Sequence, residues 1–294
     1  MLNTKNNVYI VGELVEIKDF KNDVWADNNG DHNYVAATVV VKSIVNDQEL
    51  LTEARAFINE LTKNGTVNKN YTTLKDVDSL LNKRVVISGA RLVSERFWST
   101  RTSQLSNSTR INFNLIRAAR STETDDKVTF EFGGFVTRPI QEVLDENGEV
   151  KHYQISIGQA TYSENDMFEV NFIVDKDNLK AVQVMGEQYT SGATVEVSGV
   201  CKTIVSKYSK PTEIAFGEPI VKEYINTDKK FVITGGSEVL SGEGEYTDEV
   251  INNLVAVYSA KAKEIQAKAT SAEKTSASPA AKPKPKNTNL AGLI

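Results

Sequence analysis

"KRVVISGARLV" (83–93) is an apolar, β-branched run broken by a Ser-Gly pair, and "ATVEVSGVCKTIV" (193–205) repeats that pattern later in the chain. Glycine inside a strand pattern marks a bulge or a sharp bend, the kind of corner a small barrel requires. Working outward from these two segments, the neighbouring elements also recur in one order. Upstream, "VYIVGELVEI" (8–17) is echoed by "FEFGGFVTRPI" (130–140). Each is followed by an Asn-Gly turn signal, "DNNGDHNY" (27–34) and "DENGEVKHY" (145–153). Asn-Gly supplies positive φ at little cost and predicts a tight hairpin. The second strands are then "VAATVVVKSI" (35–44) and "QISIGQATY" (154–162), and the third "EARAFI" (53–58) and "FEVNFIV" (168–174). The fifth are "RINFNLI" (110–116) and "TEIAFGEPIV" (212–221). Between strands three and four each copy holds an irregular segment with room for a short helix, "LKDVDSLLN" (74–82) and "DNLKAVQVM" (177–185).

Five strands with an element between the third and fourth is the layout of the OB-fold, a partly open Greek-key barrel. The expected fold class is therefore all-β: two tandem OB-fold domains, 1–122 and 123–225, followed by a strand and amphipathic helix (226–270) and a disordered tail (271–294). "KKFVITGG" (229–236) reads as the extra strand. The helix is expected from Thr247, an N-cap residue, with Asp248 and Glu249 in its first turn. Its apolar positions Val250, Ile251, Leu254, Val255 and Tyr258 have helical spacing and suit packing on the body or on a second subunit. "TSAEKTSASPAAKPKPK" has a linker's composition.

The 294 residues carry a net charge of −5, unevenly spread: residues 1–122 are net +3, 123–225 net −9 and 226–294 net +1. Such asymmetry points to different partners for different segments. No apolar run reaches the ~18 residues a membrane span needs, and the N-terminus lacks the pattern of a signal peptide. The single cysteine, Cys201, excludes an intramolecular disulfide and fits a cytoplasmic location, that of the host if the chain is phage-encoded.

Six of the nine arginines fall between residues 91 and 120: Arg91, Arg96, Arg101, Arg110, Arg117 and Arg120, with Glu95 the one acid among them. In the barrel layout this stretch covers the end of strand four, a long polar loop and strand five. OB-folds bind oligonucleotides on the face of strands two and three and through long loops. Arginine pairs with phosphate through a planar fork and stacks on bases, and an exposed ring offers a stacking platform. The candidate nucleic-acid-binding residues are Arg91, Arg96, Phe97, Trp98, Arg101 and Arg110, with Trp25 and Tyr34 from the first hairpin. The second copy offers a reduced version, "KTIVSKYSKPTEI" (202–214), whose Lys207, Tyr208 and Lys210 join the set. Arg117 and Arg120 suit ion pairs with the acidic second domain equally well, and Trp98 suits a core role. Phe57, Phe132 and Phe172 read as core; Tyr34 and Tyr153 suit either role.

"NNVYIVGELVEI" (6–17) is similar to the opening strand of bacterial single-stranded-DNA-binding proteins, where an Asn and alternating aliphatics precede Gly-x-Leu. The resemblance covers mainly residues 5–120, with a second copy to 225; tandem OB domains also resemble replication-protein-A-like and some phage single-strand binders. The resemblance implies a barrel that coats single strands and a disordered tail ending in a peptide that recruits partners, with replication or recombination proteins as the expected class. "NTNLAGLI" (287–294) sits where that peptide would, with Leu290, Leu293 and Ile294 as its apolar contacts. The family tail is acidic and ends in Pro-Phe; this one is basic and ends in Leu-Ile, so the partner does not carry over. The lysine- and asparagine-rich style suits a phage of an AT-rich host.

Catalysis finds little support, and no cofactor is called for. The two histidines, His32 and His152, flank the Asn-Gly turns and read as turn residues. A lone cysteine builds no zinc ribbon, and the phosphate-binding and zinc-protease motifs are missing. The rival reading is a structural or scaffold protein of a phage particle, in which the duplicated barrels pack on protein. The acidic second domain favours it, because an acidic face repels nucleic acid.

Overall fold

The computed structural model describes residues 2–27, 30–100, 102–212 and 220–276, with 203–212, 220–229 and 271–276 described through their backbone alone, and these described residues contain eleven strands and three α-helices. In the first unit β1 (Asn6–Asp27), β2 (Gly30–Val45) and β3 (Gln48–Asn59) form a meander. Helix α1 (Lys69–Lys75) and a 3₁₀ turn (Val77–Leu80) follow, then β4 (Arg84–Ser99), β5 (Gln104–Asn112) and the short β6 (Leu115–Ala118). Antiparallel β1–β4 and parallel β3–β5 pairings close the order β1-β2-β3-β5-β4-β1.

The second unit repeats the circuit. It contains β7 (Lys127–Leu144), β8 (Val150–Ala160), β9 (Met167–Val174), α2 (Leu179–Gln188), β10 (Thr194–Thr212) and β11 (Ile220–Gly236). They close as β7-β8-β9-β11-β10-β7, again with one parallel pairing, β9–β11. This is the OB-fold circuit twice, as expected from sequence.

Bent strands make both closures possible. A Cβ on Gly12 would lie 2.2 Å from the Lys42 carbonyl oxygen, and one on Gly134 would lie 2.1 Å from that of Gly158. Only glycine permits the first strand of each unit to cross its second so closely. The Ser-Gly of β4 is a bulge: Gly89 has φ +65°, and the register against β1 slips between Val8–Ala90 and Ile10–Ile87. The Ser198–Gly199 pair likewise marks a register shift, here between β10 and β11.

The units join through an antiparallel β1–β7 ladder from Asn6–Phe132 to Val11–Lys127. Val8 faces Phe130, the residue that opens the matching segment of the repeat, so the ladder has the self-complementary geometry of a two-fold interface. The core runs through both barrels. Phe132 and Phe172 are fully buried, as expected, with ring centroids 5.2 Å apart. Asn68 caps α1 by accepting from the Asn70 N–H, and Asn178 caps α2 by accepting from the Ala181 N–H. Tyr71, Leu74 and Val77 plug one barrel, Met185 and Tyr189 the other.

Two boundaries differ from the sequence reading. The last strand of the second unit is β11, which runs through the 225/226 boundary to Gly236 and absorbs the supposed extra strand. Residues 213–219, the heart of the proposed fifth strand, lie outside the described residues. Helix α3 (Asp248–Ser276) passes the 270 boundary, because alanine and lysine sustain a helix once it has begun. It packs on the body: Leu254 and Tyr246 are buried with Phe135, Ala160 and Met167, beside Val250, Ile251 and Tyr258. Among the described residues no helix is long and apolar enough to cross a membrane.

Candidate nucleic-acid interface

The arginine-rich stretch, expected as a loop, is a β-hairpin. β4 and β5 stay paired to Ser99–Gln104. Residues on both faces of this extension are largely polar, so it lacks the apolar alternation that betrays a strand. Pairing sorts the arginines by parity. Arg91–Asn112, Val93–Arg110, Glu95–Ser108 and Phe97–Ser106 share one face; Ser94–Thr109, Arg96–Asn107 and Trp98–Leu105 share the other.

The first of these faces continues the outward side of β2 and β3. β3 turns Ala54, Ala56 and Ile58 into the core and leaves Arg55 and Phe57 outside. Phe57 is therefore not core: it is 52% exposed, with its ring stacked on Tyr34 at 4.7 Å and 22°. Arg55, Phe57, Arg110 and Asn112 line a groove of about 280 Å³. Arg110 makes a two-pronged pair with Glu95, its Nη1 donating to Oε2 at 2.8 Å, while Arg55 has no ion-pair partner among the described residues. Phe97 stands on the same side, 44% exposed.

Further along, the first hairpin continues as an arm of β1 and β2. Trp25 stacks on His32 at 4.5 Å and 25°, and its Nε1 donates to Asn59 Oδ1 at 3.0 Å. His32 is thus a strand residue with an aromatic partner, its Nε2 3.0 Å from Asp27 Oδ1, and His152 lies within β8. The turn reading fails for both because the hairpins are longer than the Asn-Gly signal suggested. Among the described residues no three His, Cys, Asp or Glu side chains gather to hold a metal. Cys201 is buried, and burial pushes its thiol up, away from reactivity.

The opposite face of the β4–β5 hairpin rests on the rest of the molecule. The Arg96 guanidinium lies 3.6 Å from the Tyr258 ring centroid, and its Nη1 donates to the Tyr258 carbonyl at 3.5 Å. Asn107 donates to Glu169 Oε1 at 3.5 Å and to Tyr258 Oη at 3.4 Å. Burial, then the charge of Glu169, pushes the Tyr258 hydroxyl up. Trp98 is half-buried on this side with its Nε1 enclosed. Arg96 and Trp98 thus face away from the Tyr34–Phe57 surface, although their neighbours in sequence share it. Arg117 pairs with Glu123 at 2.5 Å, and Arg120 contributes its backbone N–H to the same carboxylate at 2.7 Å. The Arg117 hydrogen bond first, then the Arg120 amide, lowers the Glu123 carboxyl to about 2. The ion pair is thus a local clasp that holds the segment after β6 against the first unit, not a link to the acidic second unit.

Arg101 lies outside the described residues, as do Leu290, Leu293 and Ile294. The backbones of Lys207, Tyr208 and Lys210 pair with Ile225, Tyr224 and Lys222 in the β10–β11 hairpin; their side chains lie outside the described residues.

The sequence model of the YorF family matches residues 5–271. The chain belongs to the YorF family. No curated protein sequence matches it. Among solved structures it is similar to the wild-type single-stranded DNA binding protein from Thermus aquaticus, with a TM-score of 0.50 and 9% identity, over 84% of this chain and 98% of that one. A deletion mutant of the same Thermus protein gives a TM-score of 0.47 and 11% identity over the same shares. At these identities the likeness concerns the fold.

In this YorF-family chain the two units treat corresponding faces differently. The outward row of β8 and β9 contains Gly158, Ala160, Met167 and Glu169. Helix α3 covers Ala160 and Met167, and the β4–β5 hairpin reaches Glu169, which also binds Arg138 at 2.5 Å. Lys261 of α3 fastens the cover to Asp166 at 2.5 Å. Among the described residues, the open aromatic and cationic surface belongs to the first unit.

Proposed function

We propose that the chain binds single-stranded DNA, largely without regard to sequence, on the outward face of β2 and β3 and the adjoining face of the β4–β5 hairpin. The observation that carries this reading is the exposed Tyr34–Phe57 stack beside Arg55 and Arg110. Base–aromatic stacking contributes about 1–3 kcal/mol per base and is tolerant of sequence. Arginines beside the rings supply phosphate contacts, whose affinity comes from counterion release. A duplex keeps its base faces stacked on one another, so a ring platform selects single strands.

The fold shared with the Thermus single-stranded DNA binding protein supports the same reading. Coating and protecting DNA during replication or recombination, without catalysis, is the role we assign. Recruitment of a partner falls to the terminal Leu290, Leu293 and Ile294, and the sequence style fits a phage origin. The scaffold alternative draws on the acidic second unit. It leaves the exposed Tyr34–Phe57 stack without a purpose, since α3 and the hairpin already cover much of the acidic unit's corresponding face.

The test is fluorescence anisotropy with a labelled poly(dT) strand and a duplex of equal length across a salt series. Tight binding to the single strand, weakened by salt and by Phe57→Ala, is expected. Equal binding to duplex, or no binding at low salt, rules the reading out.

A further inference from the structure

The groove beside Arg55 and Phe57 does not end at β5. Asn112 and Arg110 on its wall are the cross-strand neighbours of Arg91 and Val93, and those two line the next groove. Directly opposed residues in a ladder are about 5 Å apart, so the two depressions form one trough across β5 and β4. The second groove, of about 580 Å³, follows the seam between the units. Arg91 and Val93 form one wall, Asn7 lies along it, and Gln159, Phe168 and Tyr162 come from the second unit.

The seam is fixed from below. The buried Asn6 side chain donates to the Leu92 carbonyl at 2.9 Å and to Gln159 Oε1 at 3.0 Å, and accepts from the Leu92 N–H at 2.8 Å. Gln159 in turn donates to the carbonyls of Lys5 at 2.9 Å and Gly133 at 2.5 Å. Both amides are fully satisfied, so the floor ties β4 to β8 rigidly and offers a ligand no spare donor. The uncommitted chemistry is on the walls. Arg91 is exposed and has no ion-pair partner among the described residues, and the Tyr162 side chain is 96% exposed with no hydrogen bond there.

Tyr162 sits on a braced turn. The Thr161 N–H donates to Asp166 at 2.8 Å and the Glu164 N–H to Thr161 at 2.8 Å, while Lys261 offsets the charge of Asp166. Glu164 is the acid left on this turn, and it is not among the residues that line the groove. A large ring presented to solvent by a rigid turn, beside a cation, has the same elements as the Tyr34–Phe57 surface.

We infer that the seam groove is a second contact segment for one single strand: Arg91 takes a phosphate and Tyr162 stacks a base of the same oligonucleotide that lies on Tyr34 and Phe57. The two units then share one ligand although the second unit's own strand-two and strand-three face is partly covered. This inference rests on the single-strand reading above.

Oligonucleotide length separates the two claims. With the full chain, anisotropy is measured for oligo(dT) of about 6 and about 20 nucleotides, lengths at and beyond the site size of one OB-fold. Tyr162→Ala is expected to weaken the longer strand at least about 5-fold and the shorter less than about 2-fold, as loss of one stacked base implies. Tyr162→Phe is expected to bind like wild type. Phe57→Ala weakens both lengths. If Tyr162→Ala binds both lengths like wild type while Phe57→Ala weakens both, the seam contact is wrong and the first-unit site stands. Equal weakening of both lengths by Tyr162→Ala also overturns the seam as an extension. If Phe57→Ala changes neither, the single-strand reading itself falls. An unchanged melting temperature for Tyr162→Ala is expected from its exposure.

Discussion

On β2 and β3 the outward row reads Tyr34, Ala36 and Thr38 beside Asn59, Phe57 and Arg55; on β8 and β9 it reads Gln154, Ser156, Gly158 and Ala160 beside Ile173, Asn171, Glu169 and Met167. The circuit of strands is the same, and the chemistry of the rows is opposite. Small and flexible side chains at Gly158, Ala160 and Met167 let a helix approach closely, and α3 does so with Leu254 and Ile251. Rings and a cation at Tyr34, Phe57 and Arg55 stay open. One topology thus leaves an open aromatic face in one unit and supports a surface for its own chain in the other. What distinguishes them is whether the outward row can be desolvated without stranding a charge.

The sharpest way to break this comparison is to put a charge on each face. Leu254→Asp buries a carboxylate under α3, where Leu254 is 2% exposed, and is expected to cost about 3 kcal/mol or more. A fall in the thermal midpoint, with lost hydrogen-exchange protection along α3, would show it. Phe57→Asp on the open face is expected to leave the midpoint nearly unchanged and to abolish strand binding. Equal destabilisation by the two would mean that both faces are structural.

Truncation to alanine gives the next largest effect. Phe57→Ala should weaken oligo(dT) binding by about 1–3 kcal/mol, roughly 5- to 150-fold by anisotropy. Asn171→Ala, on the second unit's outward row, should change it less than about 2-fold.

Two arginines sharpen the contrast further. Arg55→Ala should lower affinity and flatten the salt dependence, reducing the slope of log K against log salt by about 0.7. Arg96→Ala should leave that slope alone and lower stability by about 1 kcal/mol, the scale of its lost contact with Tyr258. A salt slope that changes only in Arg96→Ala would place the DNA on the other side of the hairpin.

The smallest effect belongs to the clasp that closes the first unit. The Glu123 carboxyl is lowered to about 2 by Arg117 and the Arg120 amide. A depressed folded-state value contributes stability that is complete above the ordinary carboxylate range, near 4.5, and is lost as pH falls toward about 2. Glu123→Gln should therefore shift the acid limb of a stability–pH curve in that window and leave neutral-pH DNA binding unchanged. An acid limb identical to wild type would show that the clasp contributes nothing to acid stability.

Much of the fold was legible in local patterns. Asn-Gly marked the hairpins, the Ser-Gly pairs marked strand irregularities, and the segment expected to be helical at 177–185 became α2; α1 lies mostly before the one expected at 74–82, where a 3₁₀ turn stands instead. These signals are short-range: turn dihedrals, bulges and caps depend on a few adjacent residues. The candidate site was half legible. Reading the arginine stretch as a loop hid its period of two, which separates Arg91, Phe97 and Arg110 from Arg96 and Trp98. Phe57 was passed over as core although its parity was available: it alternates with Ala54, Ala56 and Ile58 and shares the side of Arg55.

By itself, then, the sequence determined two five-strand circuits, their hairpins and a cationic, aromatic stretch in the first of them. Which side of the hairpin stays open, and which unit keeps its face free, only the tertiary structure decided. The contact that settles both joins Arg96 to Tyr258, 162 residues away. Parity along a strand fixes which side chains share a face, but a face is buried or open only according to what distant chain segment packs against it.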